Sequence, residues 1–247
     1  MQAAIIYMLA IVGAEIVTII IQPVWGVVFH IAILVAVILH SALAGEIPER
    51  QRNLILSLAL APLVRIISLC MPLVNIPQIW WFPIIYAPLA VAAYMVMRIL
   101  GYRMKDIGLS PRFSPFQLAV ASTGFVLGVA EYFILKPEAL VTELSLQEIW
   151  LPALIFFVFV GFVEELIFRG VLQRTAVDAF GIWGIVYVSF LFAILHMGFL
   201  SWLDVLFVFV VALFFGWVVK KTGSLLGVTL AHGITNILLY LVVPFFF

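Results

Sequence analysis

Long apolar runs, separated by short polar or Pro- and Gly-rich breaks, make up almost the whole chain. A helix needs about 20 apolar residues to cross a bilayer, and cutting the sequence at the breaks produces nine segments of roughly that length. The predicted spans are residues 4–21, 24–44, 54–74, 80–100, 116–135, 150–172, 182–198, 202–219 and 224–245. The break at Gln22 and Pro23 is short enough to be a kink, so the pattern predicts eight or nine transmembrane helices.

Composition agrees with a membrane protein and argues against other classes. The 247 residues are 66% hydrophobic and 10% charged, with a mean hydropathy of +1.31, far from the values of soluble globular domains. The formal net charge is zero and the basic residues form no patch, so we do not expect a nucleic-acid partner. No loop is long enough to fold alone. We therefore expect an all-α, polytopic helical bundle in the lipid bilayer, with residues 1–247 forming one transmembrane domain.

The basic residues in the predicted loops fall almost entirely on one side of the membrane. Lys and Arg in short loops are retained on the cytoplasmic side, and the opposite loops hold only Lys136. The N-terminus is therefore predicted to be cytoplasmic. The residues on the basic side are Arg50, Arg52, Arg98, Arg103, Lys105, Arg112, Arg174, Lys220 and Lys221.

Three polar clusters interrupt the apolar spans of the C-terminal half. An ionisable side chain at bilayer depth costs at least about 2.5 kcal/mol, so a group of such residues predicts a functional site. The clusters are Glu164, Glu165 and Arg169 in the sixth span, Phe192 and His196 in the seventh, and His232 and Asn236 in the ninth.

The spacing within the clusters suggests which side chains act together. His232 and Asn236 are four residues apart and share a helix face, and Glu165 and Arg169 have the same spacing and can neutralise each other. Glu164 is rotated about 100° from Glu165 on a helix, which leaves it free to face the bundle centre. Together these groups supply a general base, polarising groups and oxyanion donors, the parts needed for water to attack an amide.

Three motifs in chain order resemble those of the intramembrane glutamic proteases, which include type II CAAX prenyl endopeptidases and bacteriocin-processing proteins: Glu164-Glu165-xxx-Arg169, Phe192-xxx-His196 and His232-xxx-Asn236. The resemblance covers residues 164–236. It implies membrane helices around a hydrophilic cavity, with the catalytic core at about residues 116–245. The implied activity is endoproteolysis of a membrane-associated protein or peptide, with prenylated CAAX-type peptides among the candidates, in the plasma membrane of a bacterium or archaeon.

The resemblance also implies roles for the motif residues. Glu164 and His196 would activate the water, while His232 and Asn236 would stabilise the oxyanion. Glu165, Arg169 and Phe192 would support the charge balance and geometry of the site. Two other functions stay open: a non-catalytic scaffold that regulates a sensor kinase or an immunity partner, and a transporter that uses the buried charges for coupling.

A metal-dependent mechanism is the other alternative that the residue types allow. Two carboxylates and two imidazoles could hold zinc. Zinc proteases commonly place two histidines at i and i+4 on one helix, and the sequence contains no His-x-x-x-His. We therefore expect no cofactor, with zinc as the alternative.

Some polar residues lie outside the motifs. Glu15 and Arg65, in the first and third spans, could form a pair, and His30 is expected to be a packing or interfacial residue. Glu131 and Asp204 lie near span ends, where we expect them to reach water.

The predicted depths of the clusters do not agree. At about 1.5 Å per residue, His232 lies about 16 Å from Lys221, whereas His196 lies near the outer end of a short span. The clusters can meet only if the seventh span is displaced, tilted or longer than the pattern indicates.

Overall fold

The computed structural model describes residues 2–43, 45, 47–71, 73–109 and 114–247 of the chain. Within these ranges the protein is helical and has no strands. The predicted all-α, multi-pass membrane bundle is therefore confirmed. Arg112, one of the basic residues used to predict orientation, lies outside the described residues, and the cytoplasmic position of the N-terminus stays a prediction.

A helix overlaps each of the nine predicted spans, and over the described residues eight of these helices are long and apolar enough to cross a membrane. The break at Gln22 separates two helices. The helices are numbered α1 (Gln2–Ile20), α2 (Pro23–Leu43), α3 (Glu49–Cys70), α4 (Gln78–Ile99), α5 (Pro115–Leu135), α6 (Leu146–Phe180), α7 (Trp183–Phe199), α8 (Trp202–Thr222) and α9 (Leu226–Phe245).

The seventh segment is the exception in length. Its α-helical part, Trp183–Ile194, has 12 residues and is followed by a 3₁₀ turn at Met197–Phe199. Twelve residues rise only about 18 Å, less than the hydrocarbon core of about 30 Å. Helix length therefore leaves eight candidate crossings among the described residues. They do not arise from a kink at Gln22 and Pro23, as the sequence allowed, because α1 and α2 are separate helices and the seventh segment is the short one.

The longest helix is α6, with 35 residues. It is π-helical over Phe156–Gly161 and Leu166–Leu172, and a short α-helical segment, Phe162–Glu165, separates these two stretches. π-helical turns are rare and frequently occur at functional sites. Here they flank the two adjacent carboxylates.

Helix α9 packs against both α5 and α6, and small residues allow the close approach. A Cβ atom added to Gly161 would lie 3.0 Å from Gly233 N and 3.0 Å from Thr229 O, which are backbone atoms of α9. Membrane helices commonly use small residues in this way because their backbones can then come close together. The approach of α6 to α9 places the carboxylates of one helix opposite the histidine of the other.

Polar side chains join distant helices inside the bundle. The Tyr187 hydroxyl of α7 donates to Ala4 O of α1 at 2.7 Å. The Gln173 amide of α6 donates to Gly216 O of α8 at 2.9 Å, and Gln117 Oε1 of α5 accepts a hydrogen bond from the Gly227 N–H of α9 at 2.7 Å. Each bond satisfies a polar group that would otherwise be buried without a partner.

The loop before α5 holds the start of α9. Its 3₁₀ turn, Met104–Ile107, is closed by the Arg103 N–H, which donates to Asp106 Oδ2 at 2.9 Å and holds the pKa of the Asp106 carboxyl below its usual range. Gly108 follows with a φ of 83°, in the left-handed region that favours glycine. Its carbonyl oxygen accepts a hydrogen bond from Leu225 N at 3.0 Å.

The expectation that Asp204 reaches water is wrong. The residue is 0% exposed, and neither carboxyl oxygen has a hydrogen-bond partner in the described part of the chain. The connection between α7 and α8 is only two residues long, Leu200 and Ser201. The position of Asp204 near a helix end therefore does not bring it into contact with solvent.

Candidate active site

One cavity of about 310 Å³ is lined by all seven residues that the sequence singles out. Helices α3 to α9 all contribute to its wall. The volume is at the lower end of the range for small-ligand pockets. The lining motif residues are Glu164, Glu165, Arg169, Phe192, His196, His232 and Asn236.

Glu165 is the more constrained of the two adjacent carboxylates. It is fully buried, and its Oε1 accepts hydrogen bonds from Arg169 Nη1 at 3.2 Å and from His232 Nδ1 at 2.9 Å. The first contact is the i, i+4 pair expected from the spacing. The second links α6 to α9 and orients the His232 ring.

Glu164 has a different environment. Its Oε1 accepts a hydrogen bond from the Tyr86 hydroxyl of α4. Its Oε2 lies 3.7 Å from His232 Nε2, too far for a hydrogen bond. The side chain is 12% exposed, against 0% for Glu165. Glu164 is therefore the carboxylate with an oxygen available to a molecule in the cavity.

His196 is oriented by the backbone of its own helix end. Its Nδ1–H donates to Phe192 O at 2.9 Å, so the neutral ring carries no proton on Nε2 and can accept one there. The Phe192 ring packs at 4.6 Å from the His196 ring and at 4.3 Å from the Arg169 guanidinium carbon. Phe192 thus contacts residues of both the first and the second motif, and its ring face carries a cation–π contact with Arg169.

Asn236 lies one turn beyond His232 on α9. Its Nδ2 donates to His232 O at 3.2 Å. An amide nitrogen carries two N–H groups, so one donor of Asn236 is free for another acceptor in the cavity.

The shortness of α7 resolves the disagreement in predicted depth. Its α-helical part ends at Ile194, and His196 follows the helix end, where the chain turns back through Met197–Phe199. His196 is thus carried into the wall of the cavity that Glu164 and His232 also line. The three clusters therefore meet although the α-helical part of the seventh segment is shorter, not longer, than the sequence pattern indicates.

The cavity wall also contains residues that the motifs do not include. Arg65 of α3 lines it and donates from Nε to Glu15 Oε1 at 2.6 Å, so the pair considered from the sequence is present. Glu131 and Tyr86 line it as well. Arg65 carried a signal, as an ionisable residue in an apolar span, whereas Glu131 was expected to reach water near a span end. Tyr86 carried none, because a tyrosine in an apolar helix is unremarkable.

Each of the four residues that could have held zinc has a hydrogen-bond partner within the protein. Among the described residues, no group of three or more His, Cys, Asp or Glu side chains is arranged to hold a metal ion. Glu165 and His232, for example, share the hydrogen bond given above. The absence of a cofactor stays a prediction.

The fold and the cavity define a multi-pass helical membrane protein with a buried site of carboxylate, imidazole and amide groups. Residues 146–238 match the model of the family described as Rce1-like, type II CAAX prenyl endopeptidase Rce1-like. The resemblance indicated by the three motifs is thereby confirmed, and all seven motif residues fall within the matched range. The match supports a protease with a peptide or protein substrate. No curated protein and no solved structure matches the chain.

Proposed function

We propose that the protein is an intramembrane endopeptidase that cleaves a membrane-associated protein or peptide of the CAAX type without a metal ion. One observation carries this proposal: a single cavity is lined by Glu164, His196, His232 and Asn236. All four residues lie in the range that matches the CAAX endopeptidase family. The reaction consumes one water molecule and one peptide bond.

Glu164 and His196 activate the water. Glu164 Oε1 is engaged by Tyr86, which leaves Oε2 to accept a proton. His196 is held with Nε2 unprotonated by its bond to Phe192 O and can share the proton of the same water. The water oxygen forms a bond to the carbonyl carbon as its proton moves to this pair, giving a tetrahedral intermediate.

His232 and Asn236 stabilise the negative charge on the former carbonyl oxygen. The free N–H of Asn236 donates to it, while donation from His232 Nε2 at the same time as the Nδ1 bond to Glu165 requires the imidazolium form. Such preorganised donors stabilise the transition state more than the ground state. The C–N bond then breaks, the amine leaves with the proton taken from water, and a new carboxylate remains.

Glu165, Arg169 and Phe192 position these groups. Glu165 accepts hydrogen bonds from both Arg169 and His232, so the His232 ring orientation depends on an intact ion pair on α6. A cavity of about 310 Å³ accepts a short extended segment but not a folded chain. The substrate therefore has to present a flexible segment at the membrane.

The test compares protein and peptide termini by mass spectrometry in native cells that carry the wild-type protein or Glu164→Gln at equal abundance. The amide keeps the shape of the side chain but cannot accept the proton, so we expect specific termini to vanish. Glu148→Gln is the matched control, since Glu148 lies on the same helix and is exposed.

Termini that disappear in Glu164→Gln and persist in Glu148→Gln support proteolysis and name the substrate and bond. Unchanged termini with a preserved cellular phenotype reject the protease and favour the scaffold. Retained cleavage in Glu164→Gln removes Glu164 as the base.

A further inference from the structure

Arg65 reaches the cavity from the N-terminal half of the chain, on helix α3. Its Nε donates to Glu15 Oε1 at 2.6 Å, and the same oxygen lies 2.9 Å from His30 Nε2. Glu15 and His30 are both 0% exposed. The buried Glu15 carboxylate of α1 thus holds the Nε end of the guanidinium, and His30 of α2 in turn holds the carboxylate.

The two terminal nitrogens of this guanidinium are available to a ligand in the cavity. The Arg65 side chain is 13% exposed, and its Nη1 and Nη2 atoms make no hydrogen bond within the described ranges of the chain. Arg169, the other guanidinium in the described cavity wall, is only 2% exposed, with Nη1 bound to Glu165 and its face covered by Phe192. The two arginines therefore differ. Arg169 is bound to Glu165 on its own helix, whereas the terminal nitrogens of Arg65 are free to bind a ligand in the cavity.

The remaining charges in the cavity wall make Arg65 distinctive. Glu131 and Glu164 both line the cavity, and in the described part of the chain neither forms an ion pair with Lys or Arg. Carboxylates of this kind repel an anionic ligand. A guanidinium binds a carboxylate through two parallel hydrogen bonds, so Arg65 offers an anionic group a binding point in this cavity that is separate from the His232 and Asn236 donors proposed for the oxyanion.

We propose that Arg65 binds the free C-terminal carboxylate of the substrate and thereby selects peptides that end close to the bond to be cut. This inference rests on the proposed function. Arg65 and Glu164 line one cavity of about 310 Å³, and an extended chain advances about 3.3 to 3.6 Å per residue. Only a few residues can therefore separate the scissile bond from the carboxylate. Glu15 and His30 are positioning residues that hold the guanidinium.

The experiment measures binding separately from cleavage. The probes are a fluorescent farnesylated CAAX-type peptide with a free C-terminal carboxylate and the same peptide as its C-terminal carboxamide. Binding is measured to full-length Glu164→Gln protein in phosphatidylcholine nanodiscs, so that no cleavage occurs. We expect the acid to bind about 10- to 100-fold more tightly than the amide, the range for hydrogen bonds to a charged group.

Arg65→Gln in the same background should reduce the affinity for the acid to that for the amide and leave the affinity for the amide unchanged. The unchanged amide affinity shows that the cavity is intact. The double variant Glu15→Gln/Arg65→Gln, which leaves no unpaired buried carboxylate, should give the same result if Arg65→Gln alone misfolds. Arg98→Gln is the matched control, since Arg98 is exposed at the end of α4 and should not alter either affinity.

Equal binding of acid and amide, equal loss of both in the Arg65 variants, or binding of neither probe overturns the inference. A different outcome is that phosphatidylglycerol competes with the peptide in an Arg65-dependent way, with no preference of the protein for the acid over the amide. That result would show that Arg65 binds a lipid phosphate, and it would also overturn the inference. A separate measurement follows cleavage of both peptides by protein with the native Glu164. Cleavage of acid and amide at equal rates rejects the role of Arg65 but leaves the proposed function intact. Arg65-dependent binding without any cleavage rejects the protease function but leaves the role of Arg65 intact.

Discussion

The hydroxyl of Tyr86 donates a hydrogen bond to Glu164 Oε1, although the two residues are 78 positions apart in the chain. Tyr86 lies on α4, outside the range 146–238 that matches the CAAX endopeptidase family. The N-terminal half of the bundle therefore holds one oxygen of the proposed base. The other oxygen is left to face the cavity, which gives Glu164 a defined orientation toward the substrate.

Substitution Tyr86→Phe tests this orientation. It removes the donor but keeps the ring, and we expect kcat to fall about 10- to 100-fold with little change in KM, since a hydrogen bond to a charged group contributes about 1.5 to 3 kcal/mol. The measurement is steady-state cleavage of the substrate identified by the comparison of termini. Tyr94→Phe, on the exposed side of α4, should have no effect. An unchanged kcat in Tyr86→Phe would show that Glu164 is oriented without it.

Asn236→Ala tests the oxyanion donor. Loss of one such donor commonly costs about 10² to 10³ in kcat, and KM should change little because the bond forms only in the transition state. Gln147→Ala, at an exposed position of α6, is the control. A rate equal to that of the wild type would assign oxyanion stabilisation to another group.

The Glu165–Arg169 pair is predicted to be critical for stability. Glu165→Gln leaves the buried Arg169 guanidinium without its charged partner, and we expect the free energy of unfolding to fall by about 3 to 5 kcal/mol. Arg169→Gln should cost less, because Glu165 keeps its hydrogen bond with His232. Denaturant unfolding in detergent micelles measures the loss. Arg174→Gln breaks an i, i+4 pair on the same helix whose side chains are 50% and 35% exposed, and should cost at most about 1 kcal/mol.

The double variant Glu165→Gln/Arg169→Gln separates stability from function. It removes both charges, so most of the stability should return, while activity stays low because His232 loses its ionic acceptor on Glu165. Additive losses in the double variant would contradict a direct coupling between the two residues.

Gly161→Ala tests the distance between α6 and α9. The added Cβ would lie 3.0 Å from Gly233 N and Thr229 O, so α9 has to move by a few tenths of an ångström. Because catalysis is sensitive to small displacements, we expect about a 10-fold loss of kcat in a protein that still folds. Gly13→Ala, where nothing lies within 4 Å of the added atom, should leave kcat unchanged. Full activity of Gly161→Ala would show that this approach does not position His232.

Part of the site followed from local spacing. The pair of Glu165 with Arg169 and the adjacency of His232 and Asn236 are i, i+4 relations, which one helix determines by itself. The position of His196 could not be obtained this way, because it depends on where α7 ends and turns back. The buried position of Asp204 was missed because proximity to a helix end does not show which neighbours cover that end.

The sequence by itself determined that the protein is a helical membrane bundle and which residues form its motifs. The physical reason is that backbone groups in lipid must be satisfied within each helix, so the length and polarity of each run are enough to identify a span. Only the tertiary structure decided that Tyr86 and Arg65, far from the motifs in the chain, complete the wall of the cavity. Contacts between helices depend on close packing of small residues and on where helices end, and no local pattern of hydrophobic and polar positions encodes them.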